Sequence, residues 1–190
     1  MKIIQAILLI IICWPATAQK QVQNFSLTNV ADDTSLSLHD FNSMKGIVVI
    51  FTSNSCPYDG YYEERIRILI NNYQEKIQFL LINSHTNPDE SVEKMKSSYN
   101  SWNLSVPYLA DKEQVAMNAL GARKSPEAFL LKIMNGKYTL VYSGAIDDNP
   151  QMANAVSRPY LKTAVDHLLA GSQQENTLSS RTVGCTIRGK

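Results

Sequence analysis

The chain has almost no excess charge: 18 Lys and Arg stand against 17 Asp and Glu, a formal net charge of +1 at pH 7. No basic run is interleaved with aromatics, so the electrostatic footprint of a nucleic-acid-binding protein is missing. Histidine is scarce too. His39, His85 and His167 are scattered, and with so few cysteines they give no recognisable metal-ligand spacing. Asp147-Asp148-Asn149-Pro150 reads as an acidic turn after a strand. There is no internal repeat and no sign of a second core. The 190 residues, 44% of them hydrophobic, suffice for one domain of ordinary size.

Cysteine is equally sparse, with three in all: Cys13, Cys56 and Cys185. Cys13 lies in the apolar run Ile7-Leu8-Leu9-Ile10-Ile11-Ile12-Cys13-Trp14, which follows Lys2 and leads into Pro15-Ala16-Thr17-Ala18. A basic start, a short apolar run and a small-x-small ending are the marks of a secretory leader, so residues 1–18 are expected to be removed after Ala18. The run is short for a membrane span. A lipoprotein reading of Cys13 is opposed by Ile12, which stands where a small residue is required. Export to a bacterial periplasm or the exterior then leaves Cys56 and Cys185 where disulfides persist, and only one intramolecular pairing is possible.

Along the mature chain, Phe25-Ser26-Leu27 and Leu36-Ser37-Leu38 alternate around Asp32-Asp33 as two short strands. The apolar run 47–52 is a buried strand. It passes through Asn54-Ser55-Cys56-Pro57-Tyr58 into a helix over 58–73, whose apolar positions Tyr62, Ile66, Leu69, Ile70 and Tyr73 recur at helical spacing. Residues 77–82 form a second buried strand. Asn87-Pro88-Asp89-Glu90 supplies a cap, a proline at the first helical position and acidic first-turn residues for a helix over 88–101. Asp111 caps a short helix ending near Gly121. Asn135-Gly136 closes a hairpin of strands 127–133 and 138–142, and a last amphipathic helix over 157–170 stops at Gly171. Residues 172–181 read as a polar, mobile linker before a tail, Val183-Gly184-Cys185-Thr186-Ile187, that packs back on the domain.

Cys56 therefore stands at a helix mouth, where unpaired backbone N–H groups favour thiolate over thiol. That environment is worth about 0.3–1 kcal/mol, up to ~2 where partly buried, or roughly one pKa unit. Asp59, one turn on, opposes it as a second negative charge.

The order of elements resembles the thioredoxin fold, an α/β three-layer sandwich with a central mixed β-sheet and helices on both faces. Ser125-Pro126-Glu127-Ala128-Phe129 looks like that fold's cis-proline loop and the hairpin strand after it. The resemblance covers about residues 21–171. Within the superfamily the chain is most similar to redoxin-type proteins related to alkyl hydroperoxide reductases and thiol-specific antioxidants. Those proteins carry an Asn-x-Cys-Pro-Tyr box, here Asn54 to Tyr58, and end in Gly-Cys-Thr-Ile and a basic residue, here Gly184 to Arg188.

This resemblance implies a thiol oxidoreductase without organic cofactor or metal, served by an external thiol reductant protein. Cys56 would be the nucleophile toward a peroxide or a protein disulfide, and Cys185 the resolving thiol. Ser125, Pro126, Pro57 and Tyr58 would meet the substrate, with Trp102 at the rim. Two departures stand out. Asp59 occupies the position where a Cys-x-x-Cys box places its second thiol, so exchange within such a box is excluded. The peroxide-binding box is incomplete: Ser53 replaces its threonine, leaving the Ser53 hydroxyl and Arg123 as candidate peroxide ligands. The other reading is a non-catalytic binding or scaffold domain in which Cys56–Cys185 is a permanent staple.

Intact-mass measurement of the exported protein is expected to show loss of residues 1–18, with Gln19 at the N-terminus and no lipid.

Overall fold

A computed structural model describes residues 19–102, 104–172 and 177–190; the leader assigned to 1–18 lies outside the described residues. The strands are β1 (Gln21–Val22), β2 (Ser26–Asn29), β3 (Ser35–Ser37), β4 (Gly46–Phe51), β5 (Ile77–Asn83), β6 (Tyr108–Ala110), β7 (Lys124–Ser125), β8 (Glu127–Met134), β9 (Lys137–Gly144), β10 (Leu178–Ser179) and β11 (Cys185–Thr186). The helices are α1 (Pro57–Tyr73), α2 (Val92–Trp102), α3 (Val115–Leu120) and α4 (Tyr160–Leu169).

Every residue of β4 is buried, as its unbroken apolar sequence requires of a central strand. It pairs in parallel with β5 and antiparallel with β8, within a sheet ordered β1-β9-β8-β4-β5-β6-β2-β3. The alternation of β4 side chains divides the core in two. Val48 and Ile50 join Tyr62, Ile66 and Ile70 of α1, Met95 of α2 and Leu161 and Val165 of α4. Ile47, Val49 and Phe51 face the opposite layer, with Met117 and Leu120 of α3, Phe25, Leu38 and Ile187. The chain thus has the mixed-sheet, three-layer thioredoxin-like architecture, and α1 is the crossover that starts where β4 ends. Among the described residues no helix is long and apolar enough to cross a membrane.

Three local differences from the sequence expectations have physical causes. The helix expected over 88–101 is broken: Pro88–Glu90 form a single 3-10 turn, Ser91 is extended, and α2 begins at Val92. Glu90 turns inward and is fully buried, and the break is what points it there. The last helix starts at Tyr160, because Pro159 restricts the residue before it to extended backbone. The stretch read as a mobile linker contains β10, which pairs in parallel with β9. The Thr177 hydroxyl donates to the Leu140 carbonyl, and Ser180 Oγ accepts from the Ala145 N–H. Gly144 permits this docking: its φ is 138°, and a Cβ there would lie 2.3 Å from the Ser180 carbonyl oxygen.

Asp111 acts as expected, though from a distance. Gln114 is the residue at the start of α3, in a left-handed conformation, and the Asp111 carboxylate reaches past it to accept from the N–H groups of Ala116 and Met117. It also accepts from Ser84 Oγ at 2.6 Å. Asp111→Ala is expected to cost about 2–3 kcal/mol by leaving those buried donors unpaired, read as a lower urea midpoint with an unchanged slope.

Candidate functional site

β4 delivers the chain to a tight loop, residues 52–56, and Pro57 at the first helical position locks the turn into α1. Cys56 is the residue preceding that first turn, with extended backbone and only 6% exposure. It is disulfide-bonded to Cys185, 129 residues later in the chain. The tail arrives as β11, antiparallel to β7, with Cys185 opposite Ser125 and Thr186 opposite Lys124. The Ser125–Pro126 bond is cis, and the Ser125 carbonyl oxygen lies 3.4 Å from Cys56 Sγ. Gly184 packs so tightly on this loop that a Cβ would fall 2.2 Å from the same oxygen. The backbone edge before the cis proline is therefore occupied by the protein's own tail.

Beneath the loop sits Glu90. Its carboxylate accepts from Ser53 Oγ at 2.6 Å, Ser55 Oγ at 2.6 Å and Asn83 Nδ2 at 2.7 Å. It also accepts from the backbone N–H groups of Asn54 and Ser55. Burial pushes this carboxyl up, but the hydrogen bonds from Ser53, Ser55, Asn54 and Asn83 outweigh it and hold Glu90 below its ordinary value. Ser53 Oγ in turn accepts from the Cys56 N–H at 3.1 Å. A chain of hydrogen bonds thus runs from Glu90 through Ser53 to the cysteine backbone.

His85 and Lys112 brace the other side. His85 Nε2 is 2.9 Å from Ser125 Oγ, joining the end of β5 to the proline loop. Burial lowers the His85 pKa despite the Glu90 charge, so it is neutral at pH 7. Lys112 Nζ donates to Asn83 Oδ1 and to the His85 carbonyl, and burial pulls it down to about 8.

Asp59 is the odd member. It is 6% exposed, and neither carboxyl oxygen has a partner in hydrogen-bonding geometry. Burial drives its pKa up to about 8, with only partial relief from Thr52, Ser53 and Ser125.

Two cavities meet at Cys56. One, of about 320 Å³, is polar and bordered by Cys185, Ser55, His85, Asn87 and Arg188. The other, of about 210 Å³, is bordered by Asp59, Ile66, Leu81, Trp102 and Leu104.

Of the residues singled out in the sequence, the fold brings together Cys56, Cys185, Ser125, Pro126 and Ser53. Pro57 is exposed at the helix start. Tyr58 is half-buried and packs edge-on to Tyr61, bordering neither cavity. Ser53 is present, but its hydroxyl is donated to Glu90 rather than held free. Arg123 is exposed and engages through its backbone, its N–H donating to Glu127 and its carbonyl accepting from Ile187. The arginine that borders the polar cavity at the two cysteines is Arg188 instead. Sequence reading missed Glu90 and His85 as site residues. Only the acidic Asn87-Pro88-Asp89-Glu90 run marked the first, and it read as an ordinary helix start.

The AhpC/TSA family matches residues 18–150 of the chain. No curated protein matches it. Two similar solved structures are a hypothetical protein from Sinorhizobium meliloti 1021, at 27% identity and a TM-score of 0.78 over 90% of this chain and 93% of that one, and an uncharacterized conserved protein from Geobacillus kaustophilus, at 28% identity and 0.78 over 92% and 93%. The peroxidoxin BcpB from Mycobacterium tuberculosis, at 15% identity and a TM-score of 0.60 over 82% of this chain and 97% of that one, shares the fold.

Glu90→Gln is expected to destabilise the protein by about 2–4 kcal/mol at pH 7, since one carboxamide oxygen cannot serve five donors. The folded-state pKa of Glu90 is lowered, so its contribution is complete above the unfolded value of about 4.3 and is lost as pH falls through the lower folded value. Unfolding midpoints from pH 7 down to 3 should therefore fall less in the variant than in the wild type.

Proposed function

The chain belongs to the AhpC/TSA family, and from that premise we propose that it is an exported thiol-dependent oxidoreductase with Cys56 as nucleophile and Cys185 as resolving thiol. The observation that carries this reading is the Cys56–Cys185 bond at the cis-Pro126 loop. A protein disulfide suits the site better than a peroxide, because the Ser53 hydroxyl is taken by Glu90 and Arg123 borders neither cavity at Cys56.

In the forward direction the Cys56 thiolate attacks one sulfur of a substrate disulfide and releases the other as a thiolate, giving a mixed disulfide. Cys185 then attacks Cys56 Sγ, expels the substrate's second thiolate and forms the intramolecular bond. An external thiol protein returns two electrons. An extended substrate would pair with the Ser125-Pro126 edge that β11 fills in the bridged state, with Pro57 beside it. Tail and substrate would then exclude one another, and bond formation would eject the product. The periplasm or the exterior is the proposed compartment, on the strength of the apolar leader.

A second reading has its own support. Ile187 is buried in the core, the Arg188 carbonyl accepts from Gln114, and β10 ties down the upstream segment. A tail so anchored suits a permanent staple. Titration of the bridge against a thiol buffer separates the two: a cycling bond should have a potential well above about −300 mV, a structural one below it. Under the oxidoreductase reading, Cys56→Ser abolishes turnover of a disulfide substrate, and Cys185→Ser traps Cys56 as the mixed disulfide.

A further inference from the structure

The buried carboxyl of Asp59 has no place in the scheme above. It lies on the first turn of α1, three residues after Cys56, which precedes that turn in extended conformation. Both border the same 210 Å³ cavity, whose other walls include Ile66, Leu81, Trp102 and Leu104. A helix N-terminus ordinarily welcomes a charged aspartate. Here burial overrides it, and neither oxygen is paired. With its pKa pushed up to about 8 by burial, a carboxyl that shares a cavity with Cys56 can hold a proton near neutral pH.

The two sulfurs differ in access. Both border the polar cavity with Arg188, but Cys185 is partly exposed whereas Cys56 is only 6% exposed. An incoming thiolate therefore reaches Cys185, and Cys56 is the leaving sulfur. That sulfur would emerge as an anion in a poorly solvated pocket. We propose that Asp59 donates its proton to Cys56 Sγ as the Cys56–Cys185 bond is cleaved.

The step balances. A reductant thiolate attacks Cys185 Sγ and forms a mixed disulfide there; the Cys56–Cys185 bond breaks with its electron pair on Cys56 Sγ. The Asp59 O–H passes its proton to that sulfur, leaving a carboxylate that regains a proton from solvent. The second thiol of the reductant then displaces Cys185 as a thiolate, completing two-electron reduction of the bridge and oxidation of the dithiol.

The groups facing Asp59 support this role. Thr52, Ser53 and Ser125 relieve the burial only in part, without reaching hydrogen-bonding geometry, and the Glu90 carboxylate, from the turn before α2, discourages ionisation further. Glu63 of α1 borders the same cavity. The Tyr108 phenol of β6 is coupled to Asp59 but pushed above its ordinary value by burial, so it is not a competing donor. His85, joined to Ser125, is neutral at pH 7.

The inference rests on the oxidoreductase reading only in that the bond opens, and dithiothreitol in excess forces that opening whether or not the bridge cycles naturally. The test is the rate constant for bridge cleavage per dithiothreitol thiolate, from pH 6 to 9.5, in the wild type and Asp59→Asn. In the wild type the constant should be level to about pH 7 and fall roughly tenfold by pH 9 as the carboxyl ionises. In Asp59→Asn it should be level throughout and, at pH 7, about tenfold below wild type, the low end for acid catalysis because a thiolate already leaves well. Identical profiles in the two proteins would overturn the proposal. If Asp59→Asn folds poorly, the ultraviolet absorbance of the Cys56 thiolate in reduced Cys185→Ser serves instead. Ionisation spread over two coupled steps supports the pairing, and one simple step refutes it. A bridge potential below −300 mV would defeat the oxidoreductase reading and leave these kinetic outcomes intact.

Discussion

One buried carboxylate sets the geometry of everything at the mouth of α1. Glu90 is fully buried and stays ionised because five donors converge on it, all but one from the loop between β4 and Cys56. A buried carboxylate without partners would cost several kcal/mol or take up a proton. The loop's hydroxyls and N–H groups are therefore tied to Glu90, and Ser53 passes the constraint on to the backbone of Cys56. The same requirement explains why the helix expected from residue 88 is interrupted at Ser91. A continuous helix would not present Glu90 to the loop and α2 to the sheet together.

Asp59 and Glu90 are both buried carboxyls close to one cysteine, and their environments drive them apart. Hydrogen bonds to the charged form win at Glu90, while desolvation wins at Asp59. This divergence is the pattern by which one site holds an anchor and a proton source at the same pH. The anchor orients the backbone of Cys56. Under the proposal above, Asp59 would meet the charge that appears on the sulfur.

The C-terminal tail completes the site by strand pairing as well as by a covalent bond. Its approach to Ser125 requires the absence of a side chain at Gly184, and the upstream segment passes Gly144 under the same restriction. Closing a loop of this length would stabilise the fold by roughly 5 kcal/mol on a chain-entropy model. Much of the tail's docking does not rely on that bond, since Ile187, Ser180 and Thr177 each have partners of their own. A tail held in register by backbone pairing would return Cys185 to Cys56 if the bond opened, which is compatible with a cycling bond.

Periodicity and turn chemistry alone determined the central layers. The unbroken apolar runs of β4 and β5, the helical spacing of Tyr62, Ile66 and Ile70, and Asn135-Gly136 between two β-rich segments are local signals, legible because burial selects residue types one element at a time. Cys56 was legible for the same reason, since a strand, a Cys-Pro step and a helix are contiguous in the chain. Only the tertiary structure decided which residues serve that cysteine. Glu90, His85 and Arg188 come to it from separate turns, strand ends and the tail, while Arg123 and Tyr58, close in sequence to site residues, turn elsewhere. It also decided that burial holds the Asp59 carboxyl well above the ordinary carboxylate range. No short pattern encodes these outcomes, because desolvation and the supply of hydrogen-bond donors are set by segments that meet only when the chain has folded.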